Sequence, residues 1–298
     1  GEGVQPHEKT LEGPKADRLK LMRQTRAQFG QIFMLFDDPQ KTADDIIAKA
    51  AQGEPLVDYV DDDGVRHCIY AIDDASDIEA IVSMMASKDP VIADGHHRYE
   101  TALNYYNETK NPAAEYRMMT FVNMHNEGLV VLPTHRLVAG LSDFDIDSVI
   151  EKISDDFDVT EYAFADNEKE AAKGKMFADL AEEFELKKSA FGIYAGGNKF
   201  YVAALKGKSA MDRACPDMSP AARKLDVNVL HKLVLEDVMG IGDAQLAGET
   251  NIRYIKDIGD AIEKSIGKVD SGQSQVVFFM NPTRVEQVRQ VAAANEKM

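Results

Sequence analysis

Apolar residues change their spacing repeatedly along the chain, and the alternation predicts helices and strands in turn. Helical spacing first occurs over about residues 15–28 and returns in three later segments: KTADDIIAKAAQG, DASDIEAIVSMMASK and HHRYETALNYYNET. Asp74 or Ser76 can cap the helix in the second of these. Short apolar runs of strand length lie between the helices, as in QIFMLFDD and PVIADG. The pattern predicts an α/β (α+β) protein with mixed sheets.

Paired apolar runs around turn residues predict three hairpins. The first turns at Asp-Gly in PLVDYVDDDGVRHCIYAID, and the second joins YRMMTFVNM to LVVLPTHRLV. The third is SAFGIYAGGNKFYVAALKG, in which AGGNK forms a turn rather than a phosphate loop. The remainder of the chain predicts one long helix in AARKLDVNVLHKLVLEDVMG, and then strands IRYIK and QVVFFM, each followed by a helix.

The character of the chain changes after Gly140, where two acidic, helix-rich segments follow each other. This shift predicts three regions. A phosphate-binding region covers 1–139, an inserted acidic α/β subdomain covers 140–208, and a C-terminal α/β region over 209–298 packs back on the first.

Composition and charge narrow the classes of function. The 298 residues are 44% hydrophobic and 29% charged, as in ordinary globular proteins. A net charge of −17 argues against nucleic acid and against an anionic membrane surface as partners. We expect a cytoplasmic protein, because neither a secretory signal nor a membrane-spanning run is visible. Cys68 and Cys215 lie too far apart for a CxxC redox or zinc pair.

The segment ADGHHR concentrates candidate chemistry at the start of a predicted helix. Gly95 follows a strand and lets the backbone turn sharply, and His96, His97 and Arg98 occupy the first helical turn. Cations are disfavoured at a helix N-terminus, where the dipole adds roughly half a positive charge. A bound phosphate or pyrophosphate would offset both the dipole and the side-chain charges. We therefore predict an anion cradle here.

Asp94 has three roles open to it: N-cap, general base towards a substrate hydroxyl, or magnesium ligand. The alternative to a functional site is ordinary capping at Asp-Gly, with His96 and Glu100 as a surface pair four residues apart. The concentration of His96, His97 and Arg98 favours function over that alternative, because helix propensity does not select such residues at this position.

Further candidates lie on both sides of this segment. Lys15 and Arg18 are one helical turn apart and can clamp a second phosphate, while His7 and Glu8 are polar residues that packing does not explain. Glu8 is a second candidate general base. A solvated helix start is the alternative for Lys15.

The second half of the chain adds four candidate phosphate- or substrate-binding residues. Strand alternation places His135 and Arg136 on opposite faces of a sheet, so that one of them faces the site, and a buried His135 bonded to a backbone carbonyl is the alternative. Asn228 and His231 lie on one helix face, with Asp226 available as a cap, and His231 can be a ligand or a satisfied core residue. The sequence contains no P-loop, no GxGxxG opening a helix, no HExxH and no GxSxG.

Four separated motifs carry a resemblance to a known family. HEKTLEGPKADRLKLMR, ADGHHRYETAL, LPTHRLV and LDVNVLHKLVLE resemble the prokaryotic family called domain of unknown function 1015, in the order found there. DGHHRYETA is also similar to the phosphate-binding Gly-x-x-Arg turn of the ParB-like superfamily, in the form found in archaeal free-serine kinases. The resemblance implies that family members extend beyond both ends of this pattern, into an N-terminal segment and a Lys-Ser-Thr tail.

The residues together with the resemblance predict an enzyme that transfers a phosphoryl group to the hydroxyl of a small metabolite. The resemblance implies free L-serine as acceptor, and we expect a nucleotide or pyrophosphate as donor. Phosphoryl transfer without a P-loop relies on charge neutralisation by Arg, Lys and His, and we expect Mg²⁺ as cofactor. Gly95 and His96 would hold donor phosphates, Arg98 would stabilise transferred charge, and Asp94 or Glu8 would deprotonate the hydroxyl. The alternatives are a phosphatase acting on O-phosphoserine or a similar ester, and a non-catalytic nucleotide-binding regulatory module. We expect a small-molecule phosphate ligand as partner and consider homo-oligomers compatible with the sequence.

Overall fold

The computed structural model describes residues 3–4, 10, 12–62, 64–165, 167–242, 245, 250–294 and 296. The chain divides into two compact units, one reaching to Val130 and the other running from Val131 to Glu296. Each has its own sheet and its own buried apolar core. The predicted α/β class with mixed sheets is confirmed.

The N-terminal unit is built on a three-stranded sheet in the order β4-β1-β5. Its strands are β1 (Ile32–Phe36), β4 (Val91–Asp94) and β5 (Met119–Asn123). β1 is antiparallel to β4 and parallel to β5. The apolar run that predicted β1 is buried because Ile32 and Met34 pack with Ile92 of β4 in the core of this unit.

Four α-helices, a short 3-10 helix (Pro112–Ala114) and a hairpin complete the described part of the N-terminal unit. The helices are α1 (Glu12–Thr25), α2 (Thr42–Ala50), α3 (Ala75–Met85) and α4 (His96–Thr109). Asp74 caps α3 as predicted, because its carboxylate accepts from the Ser76 and Asp77 amides. The Asp-Gly hairpin also forms, from β2 (Val57–Val60) and β3 (Arg66–Ile69).

The C-terminal unit contains a six-stranded sheet in the order β10-β6-β11-β8-β9-β7. Its strands are β6 (Thr134–Val138), β7 (Phe157–Ala163), β8 (Ala190–Tyr194), β9 (Lys199–Leu205), β10 (Ile252–Lys256) and β11 (Val276–Met280). β8 and β9 form the predicted glycine-turned hairpin. β11 is buried along its whole length, because apolar side chains of this unit cover both faces of the sheet.

The helices of this unit lie between these strands along the chain, and the last helix follows β11. They are α5 (Ile146–Ile153), α6 (Lys169–Glu185), α7 (Ser209–Ala214), α8 (Asp226–Val229), α9 (Ala261–Asp270) and α10 (Val285–Ala293). The prediction of one long helix over AARKLDVNVLHKLVLEDVMG is wrong. A 3-10 turn (Ala222–Lys224) precedes α8, and a π-helix (Leu230–Glu236) follows it.

The predicted hairpin between YRMMTFVNM and LVVLPTHRLV is also wrong. β5 pairs with β1 in the N-terminal sheet, whereas β6 pairs with β10 and β11 in the C-terminal sheet. Two adjacent apolar runs therefore belong to different units. The division into 1–139, 140–208 and 209–298 stays a prediction, and strands on both sides of position 208 share one sheet. No helix among the described residues has the length and apolar character needed to cross a bilayer.

Candidate functional site

The ADGHHR segment forms the predicted strand–turn–helix. β4 ends at Asp94, Gly95 takes the N-cap position with φ of 100°, and α4 begins at His96. The first helical hydrogen bond is donated by the Tyr99 amide to the Gly95 carbonyl at 2.9 Å. The earlier amides of a helix point out of its N-terminus without intrahelical acceptors. This geometry favours a bound anion.

No side chain caps α4 at its N-cap position, and this corrects one of the roles considered for Asp94. The Asp94 carboxylate instead accepts from Arg98 Nη2 at 2.6 Å, in an ion pair four residues apart. Asp94 is well exposed, with 68% of its side-chain surface accessible. The carboxylate is therefore open to a ligand while the guanidinium holds it in place.

Arg98 lies directly against the turn. Its Nε donates to the Gln31 carbonyl at 3.0 Å, which holds the side chain near the start of β1. A Cβ on Gly95 would lie 2.8 Å from Arg98 Nη2 and 3.1 Å from its Cζ. Gly95 is therefore needed twice, for its positive φ and for the close approach of the guanidinium.

The three basic residues of the motif have different surroundings. His96 is 2% exposed, whereas His97 and Arg98 are half-buried. The backbone turn, His97 and Arg98 are thus more accessible to solvent than His96. Phosphate contact by His96 stays a prediction.

Lys15 and Arg18 lie on α1, which packs against α4. Lys15 Nζ contacts Glu12 at 2.6 Å and Glu100 at 3.1 Å, and these two hydrogen bonds raise the lysine's pKa. Arg18 donates to the Pro14 carbonyl at 3.3 Å. Lys15 is already paired with carboxylates, so a shared phosphate clamp with Arg18 stays a prediction.

Glu100 is a residue whose contacts the sequence did not reveal. It accepts from Lys15 and, at 2.6 Å, from the Thr10 hydroxyl, which links α4 to the segment before α1. From the sequence, its i, i+4 spacing from His96 predicted a local surface pair instead. The other predicted N-terminal candidates, His7 and Glu8, lie outside the described residues.

The C-terminal unit brings Arg136 and His231 together. Arg136 Nε donates to His231 Nε2 at 3.3 Å, another guanidinium nitrogen donates to the Thr134 carbonyl, and Arg136 Cζ lies 5.0 Å from the centre of the Tyr254 ring. Burial lowers the pKa of Arg136 to about 10. Burial, followed by the charge of Arg136, lowers the pKa of His231 to about 4, so this imidazole is neutral at pH 7.

His135 points to the other face of β6, as the alternation predicted. It is 1% exposed and meets the Phe279 ring edge-on, and its Nδ1 accepts from the Met280 amide at 3.1 Å. The backbone partner is therefore an amide and not the carbonyl considered from the sequence. Burial lowers the pKa of His135, although Asp257 opposes this.

Asn228 has a local structural contact. Its side-chain amide donates to the carbonyl of Ala222, the first residue of the 3-10 turn that precedes α8, at 2.9 Å. This bond is structural, and the ligand role of Asn228 stays a prediction.

The family comparison bears on the whole N-terminal unit and part of the second. The family model described as "Protein of unknown function (DUF1015)" matches residues 1–228, about three quarters of the chain. The chain belongs to this family. The predicted resemblance is thereby confirmed, and its motifs at Gly95 and His135 fall inside the matched region.

Solved structures give a more distant likeness. A free serine kinase in complex with AMP is 14% identical, with 99% of this chain and 80% of that chain covered and a TM-score of 0.43. A variant of free serine kinase in complex with ADP is 13% identical, with 99% and 81% covered and a TM-score of 0.45. A conserved hypothetical protein from Pyrococcus furiosus is 13% identical, with 100% and 84% covered and a TM-score of 0.40. No curated protein matches the sequence.

Asp226 is a half-buried acid whose surroundings the sequence did not indicate. It was considered as a helix cap, but Leu225 takes the N-cap position and Asp226 is the first residue of α8, with no side-chain cap bond. Burial raises its pKa to about 6, although a hydrogen bond with Ser189 and the charge of Arg284 work in the opposite direction.

We expect Asp226→Asn to stabilise the protein at alkaline pH. The folded pKa of Asp226 lies above its unfolded value of 3.8, so the native state favours the neutral acid and loses stability as the pH rises through 6. Asparagine mimics the neutral form, and we expect the free energy of unfolding to rise by about 1–2 kcal/mol at pH 8 and by about half as much at pH 5. Urea unfolding at both values measures this, with the exposed Asp217→Asn as control. A gain independent of pH would contradict the explanation.

Proposed function

We propose that this protein transfers a phosphoryl group to the hydroxyl of a small metabolite at the Gly95 turn, with a nucleotide or pyrophosphate as donor. The observation that carries the proposal is the turn itself. A glycine with φ of 100° opens a 14-residue helix without a side-chain cap, and an arginine lies across it. Backbone amides, helix dipole and guanidinium together favour a multiply charged anion in a chain whose net charge is −17.

The helix N-terminus, Arg98 and Asp94 each have a part in the proposed reaction. The N-terminus of α4 binds the donor phosphates, and Arg98 neutralises charge on the transferred group. Asp94 lies within the same ion pair, and its exposed carboxylate accepts the proton of the attacking hydroxyl. The hydroxyl oxygen forms a bond to the terminal phosphorus, and the bond from that phosphorus to the donor's bridging oxygen breaks. The electron pair of the broken bond leaves with the rest of the donor.

Mg²⁺ is compatible with this arrangement as a cofactor. Over the described part of the chain no group of three or more His, Cys, Asp or Glu side chains could hold an ion without help. Magnesium at phosphoryl-transfer sites uses one or two carboxylates and completes its shell with water and phosphate oxygens, so Asp94 is a sufficient protein ligand. When bound, the ion would neutralise charge on the phosphates.

The acceptor proposed is free L-serine. This part of the proposal comes from the similarity of DGHHRYETA to the turn of free-serine kinases, since the geometry of the turn specifies phosphate and not the acceptor. The proposed roles of Lys15, Arg18 and Glu8 concern the acceptor's carboxylate and hydroxyl. Arg136 and His231 belong to the C-terminal unit and remain candidate anion ligands there.

A binding and turnover experiment tests the proposal. We expect ATP, ADP or pyrophosphate to bind, as measured by calorimetry, and L-serine to be phosphorylated by at least one of them, as measured by ³¹P NMR. Arg98→Met should weaken donor affinity about tenfold to hundredfold, because it removes charge-assisted hydrogen bonds to phosphate. Arg23→Met is the matched control, since Arg23 is an exposed arginine of the same unit that pairs with Glu108.

Three outcomes would overturn the proposal. Unchanged donor affinity in Arg98→Met would show that the donor does not bind at this turn. Hydrolysis of O-phosphoserine without a kinase reaction would indicate a phosphatase. Nucleotide binding without turnover would indicate a regulatory module.

A further inference from the structure

A second basic site lies beside the turn, in a cavity of about 140 Å³ within the N-terminal unit. Side chains of α1, α4 and the segments before β1 and β5 line it, among them Arg18, Met22, Phe29, Arg98, Thr101 and Arg117. Three of these are arginines. A cluster of this kind is notable in a chain with 51 acidic and 34 basic residues other than histidine.

Two of the three arginines have no carboxylate partner among the residues that the structure describes. Arg18 donates to the Pro14 carbonyl, and Arg117 donates to the Gly30 carbonyl. Only Arg98 is neutralised, by Asp94. Burial, followed by the charge of Arg98, lowers the pKa of Arg117, in line with two guanidinium groups that line one cavity. The cavity therefore carries about two uncompensated positive charges.

Buried polar atoms at the cavity lack partners as well. The Thr101 hydroxyl belongs to a residue that is 1% exposed, and within the described part of the chain it has no hydrogen-bond partner. Arg117 Nε is also buried without one there. Most buried polar groups in proteins are paired, and leaving one unpaired costs free energy. Both atoms are therefore consistent with a polar ligand that forms hydrogen bonds in the cavity.

The remaining wall of the cavity is apolar. Leu21, Met22 and Phe29 contribute to it, and Phe29 is 71% exposed. A large aromatic side chain at the rim of a basic cavity can cover the organic part of a ligand whose anionic end reaches the arginines.

We propose that this cavity binds a phosphate monoester, with its dianionic phosphate on Arg18, Arg98 and Arg117 and its organic part against Phe29. Two uncompensated charges match a dianion, and the guanidinium fork matches phosphate oxygens. The Thr101 hydroxyl supplies a further hydrogen bond. The inference shares Arg98 and Arg18 with the proposed function and rests otherwise on Arg117, Thr101 and Phe29, to which the proposed function gives no role.

Calorimetry with phenyl phosphate and inorganic phosphate as probes tests the cavity. We expect Arg117→Met to weaken both about tenfold to hundredfold and Arg117→Lys to weaken them less, because lysine keeps the charge but loses the fork. Phe29→Ala should weaken phenyl phosphate several-fold and leave inorganic phosphate unchanged. Arg23→Met is again the control for loss of one positive charge.

Thr101→Val separates a binding role from a structural one. Valine removes a buried hydroxyl without a partner, so thermal stability of the free protein should stay equal or rise, while phenyl phosphate affinity falls several-fold. Lower stability with unchanged affinity would indicate a structural role and contradict the proposal.

The two proposals can fail separately. Unchanged phenyl phosphate affinity in Arg117→Met, with the fold intact by circular dichroism, would overturn the cavity whatever the turnover result. Absence of phosphoryl transfer would overturn the proposed function, while the losses in Arg117→Met and Thr101→Val would still support the cavity. Weakening of both probes by Phe29→Ala to the same extent would contradict the assignment of the organic part.

Discussion

Gly95→Ala should reduce the affinity for pyrophosphate about a hundredfold or more. Alanine at φ of 100° is strained, at a cost of about 1–3 kcal/mol, so the turn relaxes away from the conformation that presents the first amides of α4. The new Cβ would also lie 2.8 Å from Arg98 Nη2, so the guanidinium must move away from the turn. One substitution thus removes both the backbone and the side-chain contributions to anion binding.

Gly64→Ala is the matched control for this variant. Gly64 has φ of 79° in the turn of the β2–β3 hairpin, and a Cβ there meets nothing within 4 Å. The control therefore introduces comparable backbone strain without touching Arg98, and its pyrophosphate affinity should equal that of the parent protein.

Calorimetry with pyrophosphate and thermal unfolding of both variants provide the measurements. Equal loss of stability in the two variants, with affinity lost only in Gly95→Ala, would support the cradle. Pyrophosphate affinity within twofold of the parent in Gly95→Ala would show that the ligand does not depend on this turn.

Local sequence patterns were sufficient to predict the turn. A strand, a glycine and a helix start are neighbours in the chain, so period and capping rules place them correctly, and the same holds for the Asp74 cap. The side-chain partners of the turn were harder. The sequence offered Asp94 as a cap, because Asp before a helix is common there, but the left-handed Gly95 takes the capping position and frees Asp94 for Arg98.

Contacts between distant segments explain why the sequence predicted neither the position of Arg117 nor the partner of β5. Arg117 reaches the cavity because β5 pairs with β1, a pairing 87 residues apart that no local pattern carries. The same pairing excludes the predicted hairpin, because β5 pairs in parallel with β1 in the N-terminal unit.

The π-helix after α8 was missed for a local reason, because its apolar positions also fit ordinary helical spacing.

The two basic sites of the N-terminal unit share Arg98 and differ in how their arginines are paired. Arg98 is paired with Asp94, whereas Arg18 and Arg117 of the cavity have no carboxylate partner among the described residues, although acidic residues outnumber basic ones. Surface ion pairs elsewhere in this unit, such as Arg23 with Glu108, show how readily its arginines find carboxylates. Arg18 and Arg117 are the exceptions, and they are consistent with an external anion as their partner.

Arg136→Met should stabilise the C-terminal unit by about 1–2 kcal/mol at pH 7. Arg136 is 6% exposed, and burial lowers its pKa from the ordinary value to about 10, which corresponds to a penalty of roughly 3 kcal/mol on the charged form. Methionine removes this penalty and fills similar space, at the cost of the bonds to His231 and the Thr134 carbonyl. A bound anion would offset this penalty on the charged guanidinium.

The pH dependence of this variant supplies a second measurement. The folded pKa of His231, about 4, lies below its unfolded value of 6.5, so the stability that neutral His231 contributes is complete above pH 6.5 and falls between pH 6.5 and 4. Loss of the Arg136 charge should make this acid decline shallower in urea unfolding series. Arg253→Met, on the exposed side of the adjacent β10, should leave both quantities within about 0.5 kcal/mol. A clear loss of stability in Arg136→Met would instead show that its bonds outweigh its burial, and the case for an anion at this residue would then fail.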